Sequence, residues 1–451
     1  MRLSLSAVLA ILLAHSFAAF AQTPDRFDPV GHWTGAIVKE GSVLPVEIEI
    51  EATPDGYQAR TTFVDWHLYR QSSPDPVRQT PEGITITGFL VGDAVLELEP
   101  TREQLFGPVG ADGRILHLKR AVPPPKSLVT SRQTTFVSAD GTRLSGTLTA
   151  TASSKPLAGV VMVRGRGCAR QANGKAQLFA RYGIAVLTYD KRGAGQSEGD
   201  CATFTHEQLV EDAGAALEHL AAQPDVDAAR VGLLGESAGA WIIQATTEKQ
   251  RLNPQSVQAA FVVTWIGPAT SIIQQQISSA ATYGASVGLS HERQAILAEV
   301  SRIIVDKNLS DDEAYAKLAA YRRQASEEGW LDTGFGSDDI PATRADMAGL
   351  WLRRFQYDPA PFLKTLGDLP YLAVFGAKDP IVPVEENIAA LENTGSDVTV
   401  ARLPEAGHNS DFYEGEASLP SGKKVWIFEG TDPGFATSTI TFLRERGFLT
   451  R

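Results

Sequence analysis

The sequence predicts an α/β chain: a mostly parallel, doubly wound sheet with helices on both faces and a helical insertion, preceded by a small all-β domain. Three observations carry that prediction. Residues 31 to 120 alternate apolar and polar with a period of two, and beyond a run of three prolines short apolar runs alternate with helix-forming segments. One of those runs, residues 231–234, feeds straight into Gly-Glu-Ser-Ala-Gly at 235–239. Period-two alternation belongs to antiparallel strands with one wet face. Strand-helix alternation after an opening hairpin builds a parallel sheet covered on both sides.

The 451 residues are 43% hydrophobic and 21% charged, an ordinary globular composition with length for two domains. The amino terminus is read apart from the fold. Arg2, an apolar run from Leu5 to Phe20, and Ala19-Phe20-Ala21 have the layout of a signal peptide cleaved after Ala21. Residues 1–21 are therefore expected to be removed and the protein exported, to the periplasm or the medium. The run is short for a membrane span, and no later stretch is apolar enough for one. Removing Arg2 leaves 40 basic against 53 acidic residues, a charge of −13 with histidine neutral. Such a surface repels phosphate backbones, which argues against nucleic acid as a partner.

Residues 25–121 form the expected β domain, a barrel or a sandwich. Val46-Glu47-Ile48-Glu49-Ile50-Glu51 and Ile115-Leu116-His117-Leu118-Lys119 show the alternation, with Pro54-Asp55-Gly56 and Asp112-Gly113 as turns. Trp33, Trp66, His67 and Tyr69 add aromatic or amphipathic surface there; core and hairpin packing is the plainer reading than a ligand site.

Residues 122–130, containing Pro123-Pro124-Pro125-Lys126, read as a stiff spacer before a second domain at 131–451. Residues 134–137 and 144–151 flank Asp140-Gly141 as a hairpin. Strands are expected at 160–163, 184–189, 231–234, 260–265, 371–375 and 398–401, with helices between most of them and a last helix at about 433–446. The segment 268–366 is too long for a structureless loop and is read as a helical lid. Ile296, Leu297, Val300, Ile303 and Ile304 form one helical stripe, Ser310 and Glu313 a capping box, and Met347, Leu350, Trp351 and Phe355 a second stripe. Its aromatics, with Trp330, Phe335 and Tyr357, pack within the lid or line an apolar pocket.

The two cysteines, Cys168 and Cys201, each lie a few residues past a predicted strand, and those strands are expected to be neighbours. In an exported chain a disulfide is the favoured reading, and a pair of buried thiols the alternative. No Cys/His spacing suggests a metal, and Gly165, Gly167, Gly193 and Gly195 lack the Lys-Ser/Thr of a P-loop. Neither metal nor cofactor is expected.

A serine on so sharp a strand-to-helix turn is a nucleophile elbow, with glycines two residues either side letting neighbours approach. Its hydroxyl needs a base, and the base needs a group that fixes its tautomer. Asp379 lies just past the run 371–375, and His408 in a loop past 398–401. Asp358 and Asp411 are the carboxylates that could stand in for Asp379. Among the other histidines, His206, His219 and His291 fall on predicted helices, His32, His67 and His117 in the β domain, and His15 in the signal.

On these residues the chain resembles the α/β-hydrolases, over 130 to 451. Gly-Glu-Ser-Ala-Gly (235–239), Gly-Ala-Lys-Asp-Pro-Ile-Val-Pro (376–383) and Ala-Gly-His (406–408) match that superfamily's three catalytic segments in order. Tyr189-Asp190-Lys191-Arg192-Gly193-Ala194-Gly195-Gln196-Ser197 is similar to the Asp-x-Arg-Gly-x-Gly-x-Ser loop of the branch holding bacterial esterases and serine aminopeptidases. The resemblance implies Ser237 as nucleophile, His408 as base and Asp379 as its orienting acid. It implies backbone N–H groups of Ala238 and Arg166 for the oxyanion hole, with Gly167 the second choice for the latter.

One departure matters: where the superfamily commonly has His-Gly, this chain has Arg164-Gly165-Arg166-Gly167-Cys168. The register of the hole is left open, and positive charge is brought near. Arg164, with Trp351 of the insertion, is accordingly read as substrate-binding, with a preference for anionic acyl groups. Asp190 and Arg192 are read as ties within their own loop. The expected activity is hydrolysis of a small-molecule carboxylic ester through an acyl-enzyme. The alternatives are aminopeptidase-like cleavage of amides or short peptides and, in another class, an inert scaffold whose β domain binds a ligand.

Overall fold

The computed structural model describes residues 27–449 except 67, 70–72, 90–91, 100–102, 124–127, 169–173, 335–339, 395, 397, 409–410, 413–414 and 419–420. The signal-peptide reading lies outside the described residues, as do residues 124–127 of the proline spacer, His67 and Phe335.

Strands β1 (Gly31–Lys39), β2 (Ser42–Thr53), β3 (Gly56–Thr62), β4 (Asp75–Gln79), β5 (Gly83–Ile86), β6 (Ala94–Leu98), β7 (Gln104–Val109) and β8 (Arg114–Ala121) close into a barrel. β8 returns to β1 in antiparallel register from His32↔Ala121 to Val38↔Ile115. Alternation makes the closure favourable, because one face of every strand must leave water. In β2, Leu44, Val46, Ile48 and Ile50 are buried while the intervening glutamates are partly exposed. Trp33 is fully buried in this core, its indole N–H donating to Pro29 O at 2.9 Å, which makes it a packing residue.

The second unit is built on one eight-stranded sheet. An opening antiparallel hairpin, β9 (Val129–Val137) and β10 (Arg143–Thr151), leads to β11 (Leu157–Val163), α1 (Gly174–Arg181), β12 (Ile184–Tyr189), α2 (His206–Ala221), β13 (Val226–Glu236), α3 (Gly239–Arg251) and β14 (Val262–Trp265). β15 (Tyr371–Gly376), α9 (Val384–Glu392), β16 (Val398–Leu403) and α10 (Pro433–Glu445) complete it, after the insertion. The spatial order is β16-β15-β14-β13-β11-β12-β10-β9, with β11 to β16 all parallel. Among the described residues no helix is long and apolar enough to cross a membrane.

Buried parallel strands are apolar on both faces, and each face serves a different helix layer. In β11, Val160 and Met162 join Phe179 of α1 and Phe435 and Leu443 of α10. Val161 and Val163 instead join Leu209, Leu217 and Ile243 of α2 and α3. α2 starts where Thr205 and Gln208 form a capping box, which satisfies two N–H groups the first turn leaves unbonded.

Between β14 and β15 lie α4 (Ile272–Ser286), α5 (His291–Val305), α6 (Asp311–Glu327), α7 (Leu331–Gly334) and α8 (Ala360–Leu363). Ser271, Ser290 and Ser310 cap α4, α5 and α6, the last through the expected box with Glu313. The expected helical stripe through Met347, Leu350, Trp351 and Phe355 is corrected. That segment holds two short 3-10 turns, Ala345–Gly349 and Trp351–Arg353, interrupted at Leu350, whose ψ of 89° no α-helix accepts. Met347, Leu350 and Phe355 are nevertheless buried.

Candidate active site

The chain leaves β11 for β12 on one side and later places β13 on the other. At such a switch point the loops beyond the strand ends diverge and leave a crevice. Val163 is in register with Gly235, so the residues after each strand, Arg164-Gly165 and Glu236-Ser237, emerge side by side.

Ser237 adopts φ +51°. For a residue with a side chain that left-handed backbone costs on the order of 1–3 kcal/mol and persists only where its surroundings impose it. They do here: the Ser237 N–H donates to Trp265 O at 3.0 Å, and its carbonyl accepts from the Ala240 N–H at 2.9 Å. Glu236 is tied to α1 by a 2.9 Å ion pair with Lys175. The turn lifts the serine Oγ to 3.0 Å from His408 Nε2.

His408 and Asp379 come from loops that interlock. The Lys378 N–H donates to Ala406 O at 2.9 Å, and Gly376 admits the approach, since a methyl there would lie 2.5 Å from the same oxygen. The result places His408 Nδ1 2.9 Å and 3.0 Å from the two oxygens of Asp379. Asp379 is buried, and its Oδ1 also accepts the Ile381 and Val382 N–H groups at 2.8 and 2.9 Å. Gln275 of α4 donates to Ile381 O at 2.7 Å, bracing the same loop. A hydroxyl, an imidazole and a carboxylate so connected can pass the serine proton to Nε2 while the carboxylate holds Nδ1–H. The stand-in Asp358 instead caps the Ala360 N–H at 3.0 Å, where α8 begins. Asp411 falls on the short strand Asp411–Phe412.

Gly165 lies against this turn. A methyl on it would sit 2.8 Å from Ser237 Cβ and 3.3 Å from the Ala238 nitrogen, so only glycine lets the loop close so tightly on the serine. The Gly165 carbonyl accepts a hydrogen bond from the Lys191 amine. In a trans peptide the carbonyl and the following N–H point to opposite sides, so fixing the Gly165 oxygen also fixes the direction of the Arg166 N–H. Lys191 is buried, and burial, with Arg164 nearby, pushes its amine down to about 7. The next residue anchors the loop. Arg192 grips Asp212 through Nε and Nη2, both at 2.7 Å, and reaches Asp140 at 2.5 Å and Ser138 and Thr142 at 3.1 Å.

A cavity of about 590 Å³ opens over Ser237 and His408 and is walled by Arg164, Arg166, Ala238 and Trp351, so these sequence-predicted residues do converge. A second, of about 660 Å³, shares Gly165, Arg166, Ala238 and Trp351 and extends to Cys168 and Cys201. The two cysteines lie at disulfide-bonding distance, with Cα atoms 5.9 Å apart. Sequence reasoning does not single out Lys191 or Gln275. Lys191 lies two residues past the strand Ile184–Tyr189 in a glycine-rich loop, where a lysine reads as solvated, and nothing in the sequence marks Gln275.

A family model described as serine aminopeptidase, S33, matches residues 154–412, more than half of the chain. An uncharacterized 31.7 kDa protein in the traX-finO intergenic region of Escherichia coli is 24% identical over 241 residues, 53% of this chain and 78% of that protein. An uncharacterized protein of Mycobacterium tuberculosis is 32% identical over 131 residues, 28% of this chain and 46% of that one. Among solved structures, acetyl xylan esterase 1 from Thermoanaerobacterium is similar, at 15% identity and a TM-score of 0.41, covering 71% of this chain and 84% of that chain.

Proposed function

Because the chain belongs to the serine aminopeptidase S33 family of α/β-hydrolases, we propose that it is an exported serine hydrolase that cleaves carboxylic esters through an acyl-enzyme. The observation that carries this reading is the unbroken hydrogen-bonded path from Ser237 through His408 to Asp379. Ser237 Oγ attacks the ester carbonyl as His408 Nε2 takes its proton, and Asp379 stabilises the imidazolium that forms. The developing oxyanion is met by the N–H groups of Ala238, at the start of α3, and Arg166; one such donor is worth about 2.7–4 kcal/mol. His408 then returns the proton to the leaving alcohol, and water clears the acyl group by the same route. The insertion acts as a lid that keeps bulk water from the acyl-enzyme. Export rests on the layout of residues 1–21, and amino-terminal sequencing of the protein recovered outside the cytoplasm tests it.

The family's description favours amide cleavage as a second reading. Both reactions use the same three groups and differ in protonation of the leaving group and shape of the pocket. Fluorophosphonate labelling of wild type and Ser237→Ala, followed by nitrophenyl esters against aminoacyl anilides, separates the possibilities. Labelling lost in the variant and esters turned over faster are expected. Faster anilide turnover would reverse the ranking, and an unlabelled wild type would end the serine-hydrolase reading.

A further inference from the structure

We propose that the second cavity holds the acyl arm of the substrate and that this arm ends in a carboxylate: the preferred substrates are half-esters of dicarboxylic acids. The inference rests on the serine-hydrolase reading above and adds a substrate class to it. In a chain of net charge −12, the described residues around this cavity include four cations, Arg166, Lys191, Arg322 and Arg354, and one acid, Asp346.

Three of the cations hydrogen-bond only to backbone carbonyls among the described residues, and Arg354 also lies over the Phe204 ring at 5.9 Å. Arg322 donates to Ile340 O at 3.0 Å, Arg354 to Phe204 O at 3.0 Å and to Ala348 O, and Lys191 to Gly165 O. Asp200 acts on Arg354 from beyond ion-pair distance, and Asp346 already accepts the Thr343 N–H at 2.7 Å. Asp346 likewise acts on Arg322 only from beyond ion-pair distance, so neither guanidinium is in a contact ion pair among the described residues and several of their N–H groups remain for a ligand. The indole N–H of Trp351, on the wall shared by both cavities, is buried without an acceptor among the described residues. Unpaired donors facing a cavity otherwise bounded by groups such as Phe204 and Phe355 are suited to one bound anion on an apolar stem. A carboxylate arriving beside Lys191 would hold its amine protonated.

The general acid decides which arm of the ester enters. His408 must reach the leaving oxygen, and it lines the first cavity; it is not among the described residues lining the second. Ser237 also lines the first cavity and is not among the described residues lining the second. The reacting carbonyl and the leaving alcohol therefore sit in the first, and the acyl stem is assigned to the second, which it enters past the shared wall of Arg166, Ala238 and Trp351.

The test compares nitrophenyl half-esters from succinate to suberate with esters of monocarboxylic acids of equal length, on the full protein at low ionic strength. At the best length the half-ester is expected to have the higher kcat/KM by about tenfold, the worth of one charge-assisted hydrogen bond. That ratio is expected to fall toward one in Arg354→Gln and Arg322→Gln, and in wild type as salt rises. Neutral esters preferred at every length, a ratio surviving both substitutions, or a larger gain with the carboxylate on the alcohol arm would each overturn the assignment. Fluorophosphonate labelling separates the two levels. A wild type that labels at Ser237 and hydrolyses neutral esters without anion preference loses only the chamber assignment; one that does not label loses the hydrolase reading as well.

Discussion

The Nδ1–H of His408 is shared between both carboxylate oxygens of Asp379, and the Oδ1 of that pair already accepts two backbone N–H groups. The carboxylate is thus fixed by its own loop before it meets the imidazole. Asp379→Asn keeps the shape but offers an amide that favours the wrong tautomer, and kcat on a nitrophenyl ester is expected to fall by about 10⁴-fold. Steady-state kinetics with a circular-dichroism check of folding measures it, and a loss under tenfold would move the role to another carboxylate.

Ser237 holds a positive φ of +51° that its hydrogen-bonded surroundings impose. Ser237→Ala retains the strained backbone without the nucleophile, whereas Ser237→Gly adopts it freely. Both are expected to be inactive, with the glycine variant the more stable by about 1 kcal/mol. Paired urea denaturation curves read the difference, and an alanine variant as stable as the glycine one would mean the turn is not strained.

The Lys191 amine holds the Gly165 carbonyl, and with it the direction of the Arg166 N–H. Lys191→Met leaves that carbonyl unheld and lets the Arg166 N–H drift, so kcat is expected to drop by about tenfold or more with KM changing less. Kinetics on a neutral ester is the check; a loss confined to KM would contradict it.

His206 sets a limit in acid. Its ring stacks on Tyr357 at 5.4 Å and meets the edge of Phe355 at 5.5 Å, and its Nε2 is buried without a partner among the described residues. Burial pushes it down from 6.5 to about 4. Between those values the folded chain binds fewer protons than the unfolded one, so stability falls as pH drops through that window, by at most about 1.4 kcal/mol per unit. Above pH 6.5 both states are neutral at this ring, and it has no effect. Denaturation midpoints at pH 4 to 7.5 should show a shallower loss in His206→Phe than in wild type, and parallel curves would assign the acid sensitivity elsewhere.

The sheet is legible in the sequence because strands buried on both faces read as unbroken apolar runs, as at residues 184–189 and 371–376, all buried. The serine and the acid are legible because each follows such a run; the histidine follows the half-buried β16, Val-Thr-Val-Ala-Arg-Leu, and is legible from its order after them. Spacing alone misleads around Leu350, since a helical stripe counts residues and is blind to one peptide turned out of the α region. Lys191 is illegible for another reason: its partner oxygen lies 26 residues away, and a lysine in a glycine-rich loop looks solvated. The cations at 166, 191, 322 and 354 come from separate segments, so nothing along the chain announces that they meet.

The pairing of β8 with β1 has a consequence for how the amino-terminal unit meets other molecules. Among the described residues this ring of strands presents no open row of amide donors and acceptors on which a foreign strand could be templated. Whatever this unit recognises, it must grasp with side chains on its outer wall or with the loops at its rims.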